Sequence, residues 1–421
     1  MKDKQKKSTS GSSFKVYGYR WIVLLAFMLV ILVNQLLWIS FAPITSSAAS
    51  YYGVSDLAIG LLSVSFMVVY LVMSIPASWL IDTQGIRLAV GIGVALTGIF
   101  GLVRGLVATG YTWVLISQIG IAIGQPFILN AITKVASAWF PIRERATATG
   151  FGSLAMYLGI LLGLALTPYL TLASGIAGML LIYGVLSAIA AVAFFVLMRE
   201  RPPTPPCPFD QEARSLVLDG LKGMLAKRDF QLLMLIFFVG LGVFNAVTTW
   251  IENIVGPRGF STTQAGIIGG LMIVGGIVGA VVIPSLSDHY RKRIPFIIFT
   301  LAGAVLGLVG VTYAANYGLL LASAFALGFF LLSAGPIGFQ YGAEIAYPAP
   351  EGTSNGLLLL MGQISGILFI LGMDSFKSPA TGSMVPPLMV LIGLMVFSLL
   401  LSIRLKESAL ITEKEASGAS L

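Results

Sequence analysis

Twelve apolar runs, each close to the roughly 20 residues that a helix needs to cross a bilayer, constrain what this 421-residue chain can fold into. They fall at 21–49, 57–81, 88–108, 113–133, 146–172 and 176–197, then at 230–254, 265–286, 294–314, 319–339, 355–373 and 384–403. Only 10% of the residues are charged, against about 25% in an average soluble domain. Polar side chains cannot coat a globule of this size, so much of the surface must face lipid. A soluble enzyme, a disordered chain and a disulfide-stapled secreted domain are all disfavoured. The first run is too long and too polar-flanked for a signal peptide. The single Cys207 and single His289 leave no basis for a disulfide, a metal cluster or a His-driven catalytic triad, and no cofactor is expected.

The basic residues define a topology. An even number of spans puts both termini on one face. The tail and loops of that face hold 22 of the 25 Lys and Arg, and only Arg104, Arg258 and Lys377 lie towards the other. By the positive-inside rule the rich face is cytoplasmic. The net charge of +8 is therefore topological, and no nucleic-acid partner is expected. The segments are a cytoplasmic tail at 1–20, a six-helix half at 21–198, a linker at 199–229, a second half at 230–404 and a cytoplasmic tail at 405–421. Prolines crowd the start of the linker and bar a helix there; residues 212–227 could form an amphipathic surface helix.

The halves repeat each other. Asp82-Thr83-Gln84-Gly85-Ile86-Arg87 follows the second run, and Asp288-His289-Tyr290-Arg291 follows the eighth, with the aspartates 206 residues apart. Pro141 and Glu144 after the fourth run match Pro348 and Glu351 after the tenth, with the prolines 207 apart. Two parallel six-helix repeats are the plan of a rocker-type secondary carrier with its substrate near the midplane. Asp82 is expected to latch the start of the eleventh span near Glu351, and Asp288 the start of the fifth near Glu144. Gly85, Arg87 and Arg291 would shape these gating turns, because helix N-termini attract carboxylates. Gly159/Gly163, Gly266/Gly270 and Gly275/Gly279 have the spacing of close helix crossings, either static or sliding.

Polar side chains deep in a membrane are expensive and mark candidate sites. Trp38, Gln125, Asn245 and Gln363 fall within about 5 Å of their span midpoints at 1.5 Å rise per residue. Gln35 joins them from the first span. Shifting Trp38 by the repeat offset lands on Phe244 or Asn245, which suggests an aromatic pair across the halves. No carboxylate or lysine reaches the midplane. A neutral site of rings and amides suits an uncharged solute or an organic cation held by cation–π contact.

The Asp82-x-x-Gly85-x-Arg87 turn resembles the loop signature of the major facilitator superfamily. The stretches 34–44, 79–87, 138–140 and 344–357, leading to Gln363, resemble the feline leukaemia virus subgroup C receptor-related carriers. That resemblance implies the major facilitator fold: an all-α membrane protein with twelve transmembrane helices in two pseudo-symmetric six-helix halves. It also implies transport of an amine such as choline or ethanolamine, with haem export proposed for some members. The cage tryptophan then corresponds to Trp38 and the cage glutamines to Gln125 and Gln363, while the aromatic of the seventh span is replaced by Phe244-Asn245. The expected function is alternating-access transport of a small organic solute by a monomeric uniporter in the cell membrane. A broad-specificity exporter of amphipathic compounds and a non-transporting receptor or scaffold are the alternatives. An intramembrane enzyme would need clustered catalytic side chains at one depth, which are not visible.

Overall fold

The computed structural model describes residues 16–204, 223–346 and 351–407. The first half runs α1 (Arg20–Ile39), a 3-10 turn (Ala42–Ile44), α2 (Thr45–Tyr52), α3 (Asp56–Gln84), α4 (Ile86–Leu106), α5 (Tyr111–Leu129), α6 (Ile132–Trp139) and α7 (Ile142–Leu197). The second runs α8 (Arg228–Thr249), α9 (Ile251–Val255), α10 (Thr262–Tyr290), α11 (Ile294–Tyr313), α12 (Tyr317–Ala346), α13 (Glu351–Ser375) and α14 (Val385–Ser402). Eleven of the described helical segments are long and apolar enough to cross a membrane. One of them, 51 residues long, makes two crossings, because α7 turns at Gly175 with φ 70° and ψ 174°. The total is therefore twelve spans. The segment expected to form a surface helix lies mostly outside the described residues; only 223–227 of it are described, and of these 223–225 are helical.

Three expected spans are not single rods. The first ends at Ile39 and restarts after Pro43, where the ring removes a backbone donor. The fourth breaks after Leu129, three residues beyond Pro126. The seventh breaks at Trp250, whose φ and ψ are −96° and 19°.

The repeat seen in sequence is kept in hydrogen bonds. The Glu200 carboxylate accepts from the backbone N–H of Ile86 (2.9 Å) and Arg87 (2.7 Å) at the start of α4. Glu407 accepts from Arg293 and Ile294, both at 2.9 Å, at the start of α11. Each residue of one set lies 207 positions from its counterpart. A carboxylate on the first turn satisfies orphan donors and the positive helix end. The turns leading in differ: Gly85 has φ 90°, while in the longer second copy Arg291 takes the left-handed position with φ 52°.

The glycine pairs separate into two kinds. Gly159 and Gly163 let α7 close on Leu32, Leu36 and Ile39 of α1, and Gly275 and Gly279 seat α10 on Phe325 and Phe329 of α12. These contacts lie inside one half. Gly266 and Gly270 meet Leu161, Leu164, Ala165 and Pro168 of α7, across the seam between halves.

Candidate substrate site between the halves

The seam is built where α3 crosses α13. Trp38 donates its indole N–H to the Ser63 carbonyl of α3 at 3.2 Å. One turn along α3, Met67 faces Gly366 of α13. A Cβ on Gly366 would lie 2.7 Å from Met67 Sδ and 2.9 Å from Asn245 Nδ2. Asn245 donates in turn to the Gly362 carbonyl at 3.2 Å. A continuous series of contacts thus joins Trp38 of the first half to Asn245 of the second, with Gln363 beside Gly362. Trp38 and Gln125 are 6% exposed, Phe244 7% and Asn245 8%.

Hydrogen-bond accounting distinguishes site amides from helix glue. Asn34 donates to Thr97 Oγ1 at 3.1 Å. Asn130 reaches Ser74 and Ser78 and accepts from the Tyr70 hydroxyl at 2.6 Å. Gln118 bonds the carbonyls of Leu37 and Leu62. These three hold helices together. Gln35 is also structural in placement: its Nε2 reaches Asn34 Oδ1 at 3.5 Å and its Cβ faces Gly159. The amides of Gln125 and Gln363, and the Oδ1 of Asn245, make no hydrogen bond to the described residues, yet are not sealed from solvent. An amide left unpaired at this depth costs free energy unless something fills its place. The expected aromatic pair is not formed: among the described ring contacts neither Trp38 nor Phe244 takes part. Trp38 and Asn245, 207 residues apart, instead each use a side-chain N–H on a neighbouring backbone carbonyl. That leaves the Asn245 oxygen without a hydrogen-bond partner among the described residues, beside a Trp38 ring packed in the core.

The face opposite the termini is tied shut. Glu252 accepts from the backbone N–H of Ser46 at 2.9 Å and from its hydroxyl at 2.7 Å. Asp56 accepts from Asn253 at 2.8 Å and pairs with Lys377 at 3.2 Å. Trp250 is fully buried, bonds the Ile370 carbonyl at 3.0 Å and presses its ring on Gly60 of α3. In the sequence Glu252 is one of the polar side chains of the seventh run, towards its outer end, and nothing in the pattern marks Trp250 beyond its place two residues from that carboxylate.

The gating residues have other partners than expected. Asp82 pairs with Lys134 at 3.4 Å, and Glu144 with Arg20 at 3.1 Å. Asp288 pairs with Arg293, which also binds Glu344 at 3.2 Å. Burial works to lower the Arg293 pKa, but Asp288 and Glu344 hold it above its ordinary value. Among the described ion pairs each acid meets a basic residue of its own half, and the described ties across the seam sit at the opposite end of the spans. Arg87 is exposed; the Glu351 side chain lies outside the described residues. Arg104, expected near a span end, is fully buried against Leu37 and Gln118.

Twelve spans in two repeated halves, which meet where Met67 faces Gly366 and Asn245, define a secondary transporter embedded in a membrane. The chain matches the Major Facilitator Superfamily over residues 23–370. It is 32% identical to Solute carrier family 49 member A3 of Xenopus tropicalis, covering 87% of this chain and 80% of that protein. It is 30% identical to the choline/ethanolamine transporter FLVCR1 of Felis catus, covering 91% and 73%. The chain belongs to the Major Facilitator Superfamily and, within it, to the feline leukaemia virus subgroup C receptor-related family. Its fold is shared with a D-xylose-proton symporter (TM-score 0.75, 16% identity, 93% of this chain and 98% of that one). A bacterial Spinster homologue in an inward-facing, unoccupied conformation is similar at TM-score 0.73 and 18% identity, covering 93% and 98%.

Proposed function

We propose that this transporter carries a small amine-like solute, with choline and ethanolamine the leading candidates, through the seam between Trp38, Gln125, Asn245 and Gln363. One observation carries the reading: each half contributes a glutamine amide that no described protein group satisfies, at the depth where Trp38 and Asn245 are already pinned. Oxygen acceptors from Gln125, Asn245 and Gln363 suit an ammonium or hydroxyl. The Trp38 face suits a soft cation, at about 0.5–2 kcal/mol for such a contact. The related FLVCR1 proteins named for choline and ethanolamine support the substrate class.

The face with the termini is the cytoplasmic one in this reading, because it carries 22 of the 25 basic residues. The ties at Glu252 and Asp56 then close the outer side. Asp82 and Asp288, with Gly85, Arg87, Arg291, Glu144 and Glu351 around them, serve as inner latches in the opposite state. The protein works as a monomer in the cell membrane.

The test is uptake of radiolabelled choline and ethanolamine into proteoliposomes, with and without pH and sodium gradients. Saturable uptake weakened by Trp38→Ala but not by Trp113→Ala, whose side chain is exposed at 62%, supports the reading. Absence of uptake of both amines, or equal effects of the two substitutions, rejects it.

A further inference from the structure

Arg104 lies on α4, which packs on α5 and α7, behind the site rather than on the seam. Its side chain is 0% exposed, and among the described ion pairs no acid meets it. A guanidinium buried without a counter-charge needs some other compensation. Nη1 donates to the Leu37 carbonyl at 3.1 Å and to Gln118 Oε1, and lies 3.5 Å from Ser40 Oγ. Gln118 Nε2 returns to the same Leu37 carbonyl at 3.4 Å. The Phe41 ring lies 5.8 Å from the guanidinium carbon. Leu37, Ser40 and Phe41 belong to the end of α1 and the break before Pro43, and Gln118 to α5. A broken helix leaves terminal carbonyls unpaired and carries partial negative charge there. That helix end meets the buried cation through Nη1 alone; Nε and Nη2 are buried with no hydrogen-bond partner among the described residues.

Trp38 follows Leu37 directly. A clamp on the Leu37 carbonyl fixes the turn from which the Trp38 ring projects, and Ser63 fixes its far end. The second half has a different arrangement, in which Arg258, after the break, donates to the Val311 carbonyl at 2.7 Å. The positions 207 beyond Arg104 and Gln118 are Val311 and Phe325. Its own break at Trp250 is held by a neutral indole N–H to Ile370, and the hydroxyls of Thr248 and Thr249 are buried without a described partner.

We infer that Arg104 is a positioning residue, which clamps the break in α1 from behind and so sets the Trp38 ring for the solute. This rests on the reading of Trp38 as part of the substrate site. Sequence alone hid it, because a lone arginine near a span end reads as an interfacial anchor.

The test uses the full-length protein in lipid nanodiscs and in proteoliposomes. Arg104→Met should raise amide exchange of residues 40–44 by about tenfold or more, with α10 and α12 unchanged. With choline as probe, its KM should rise about tenfold while kcat stays within about threefold. Arg104→Lys, which keeps a donor, should recover most of both. Combining Arg104→Met with Trp38→Ala should give the KM of Trp38→Ala alone, because the arginine acts through the tryptophan. Wild-type exchange at 40–44 in Arg104→Met overturns the clamp, and so do KM effects that multiply. Should Arg104→Met fail to fold, Arg104→Lys carries the same comparison at smaller amplitude. If the wild type takes up neither choline nor ethanolamine, the substrate reading fails, while the exchange experiment still decides the clamp.

Discussion

Glu252 and Ser46 belong to opposite halves, and the carboxylate of one accepts both the backbone N–H and the hydroxyl of the other, at 2.9 and 2.7 Å. Ser46 stands in the first turn of α2, so the charge also meets a positive helix end. Opening this face requires the carboxylate to leave. A hydrogen bond to a charged group contributes about 1.5–3 kcal/mol, enough to shift a two-state balance by roughly tenfold or more. Glu252→Ala should therefore populate the state open on this face. Spin labels at Tyr51 and Ser378 would show a growing long-distance population by pulsed dipolar spectroscopy. An unchanged distance distribution would mean that the pair does not hold the face shut.

The glycine pairs predict opposite phenotypes. Gly279 faces the Phe329 backbone within one half, so Gly279→Ala should lower the melting temperature, as overpacking costs about 1–3 kcal/mol. Gly266 faces the Leu164 carbonyl and Pro168 across the seam. Gly266→Ala obstructs only the closed arrangement, which the halves can leave by rocking apart. It should cut turnover several-fold with a melting temperature near that of the wild type. Equal loss of melting temperature in both variants would make the seam as static as the interior.

The architecture was legible in sequence because lipid imposes long apolar runs and because a duplicated chain repeats its punctuation. Asp82 and Asp288 revealed the repeat, and Glu200 and Glu407 show how closely it is kept. The interior of the site was only partly legible. A glutamine in an apolar run looks the same whether it binds a solute or a neighbouring carbonyl. Gln118 and Gln125 differ only in partners contributed by α1, α3 and α4, which no local pattern encodes. The breaks at Ser40, Asn130 and Trp250 were hidden for a similar reason, since hydropathy averages across them.

Glu200 and Glu407 offer a symmetric test of the halves as independent rigid units. Removing a carboxylate N-cap costs about 0.5–2 kcal/mol. Glu200→Ala and Glu407→Ala should each lower thermal stability by a similar amount. Because the sites share no partner, their effects should add in the double variant. Gly85→Ala should mimic Glu200→Ala, since its Cβ would strike the Glu200 carboxylate and its φ of 90° disfavours a side chain. Thermal melts of the four variants check this, and a strongly non-additive pair would show that the halves unfold as one.

Asp82 separates the state seen here from the one it implies. Its only described partner is Lys134 at 3.4 Å, with both side chains more than a third exposed. Such a surface pair contributes about 0–1 kcal/mol, so Asp82→Ala should leave expression and melting temperature nearly unchanged. If Asp82 latches α13 once the terminal face closes, the same variant loses a carboxylate from a helix N-terminus in that state alone. Turnover should then fall several-fold, and the population closed on the terminal face should shrink. Lys134→Ala removes the visible pair but not the latch, so it should retain near wild-type turnover. Matching losses in Asp82→Ala and Lys134→Ala would place the function of Asp82 in the pair already seen, and the latch would be discarded.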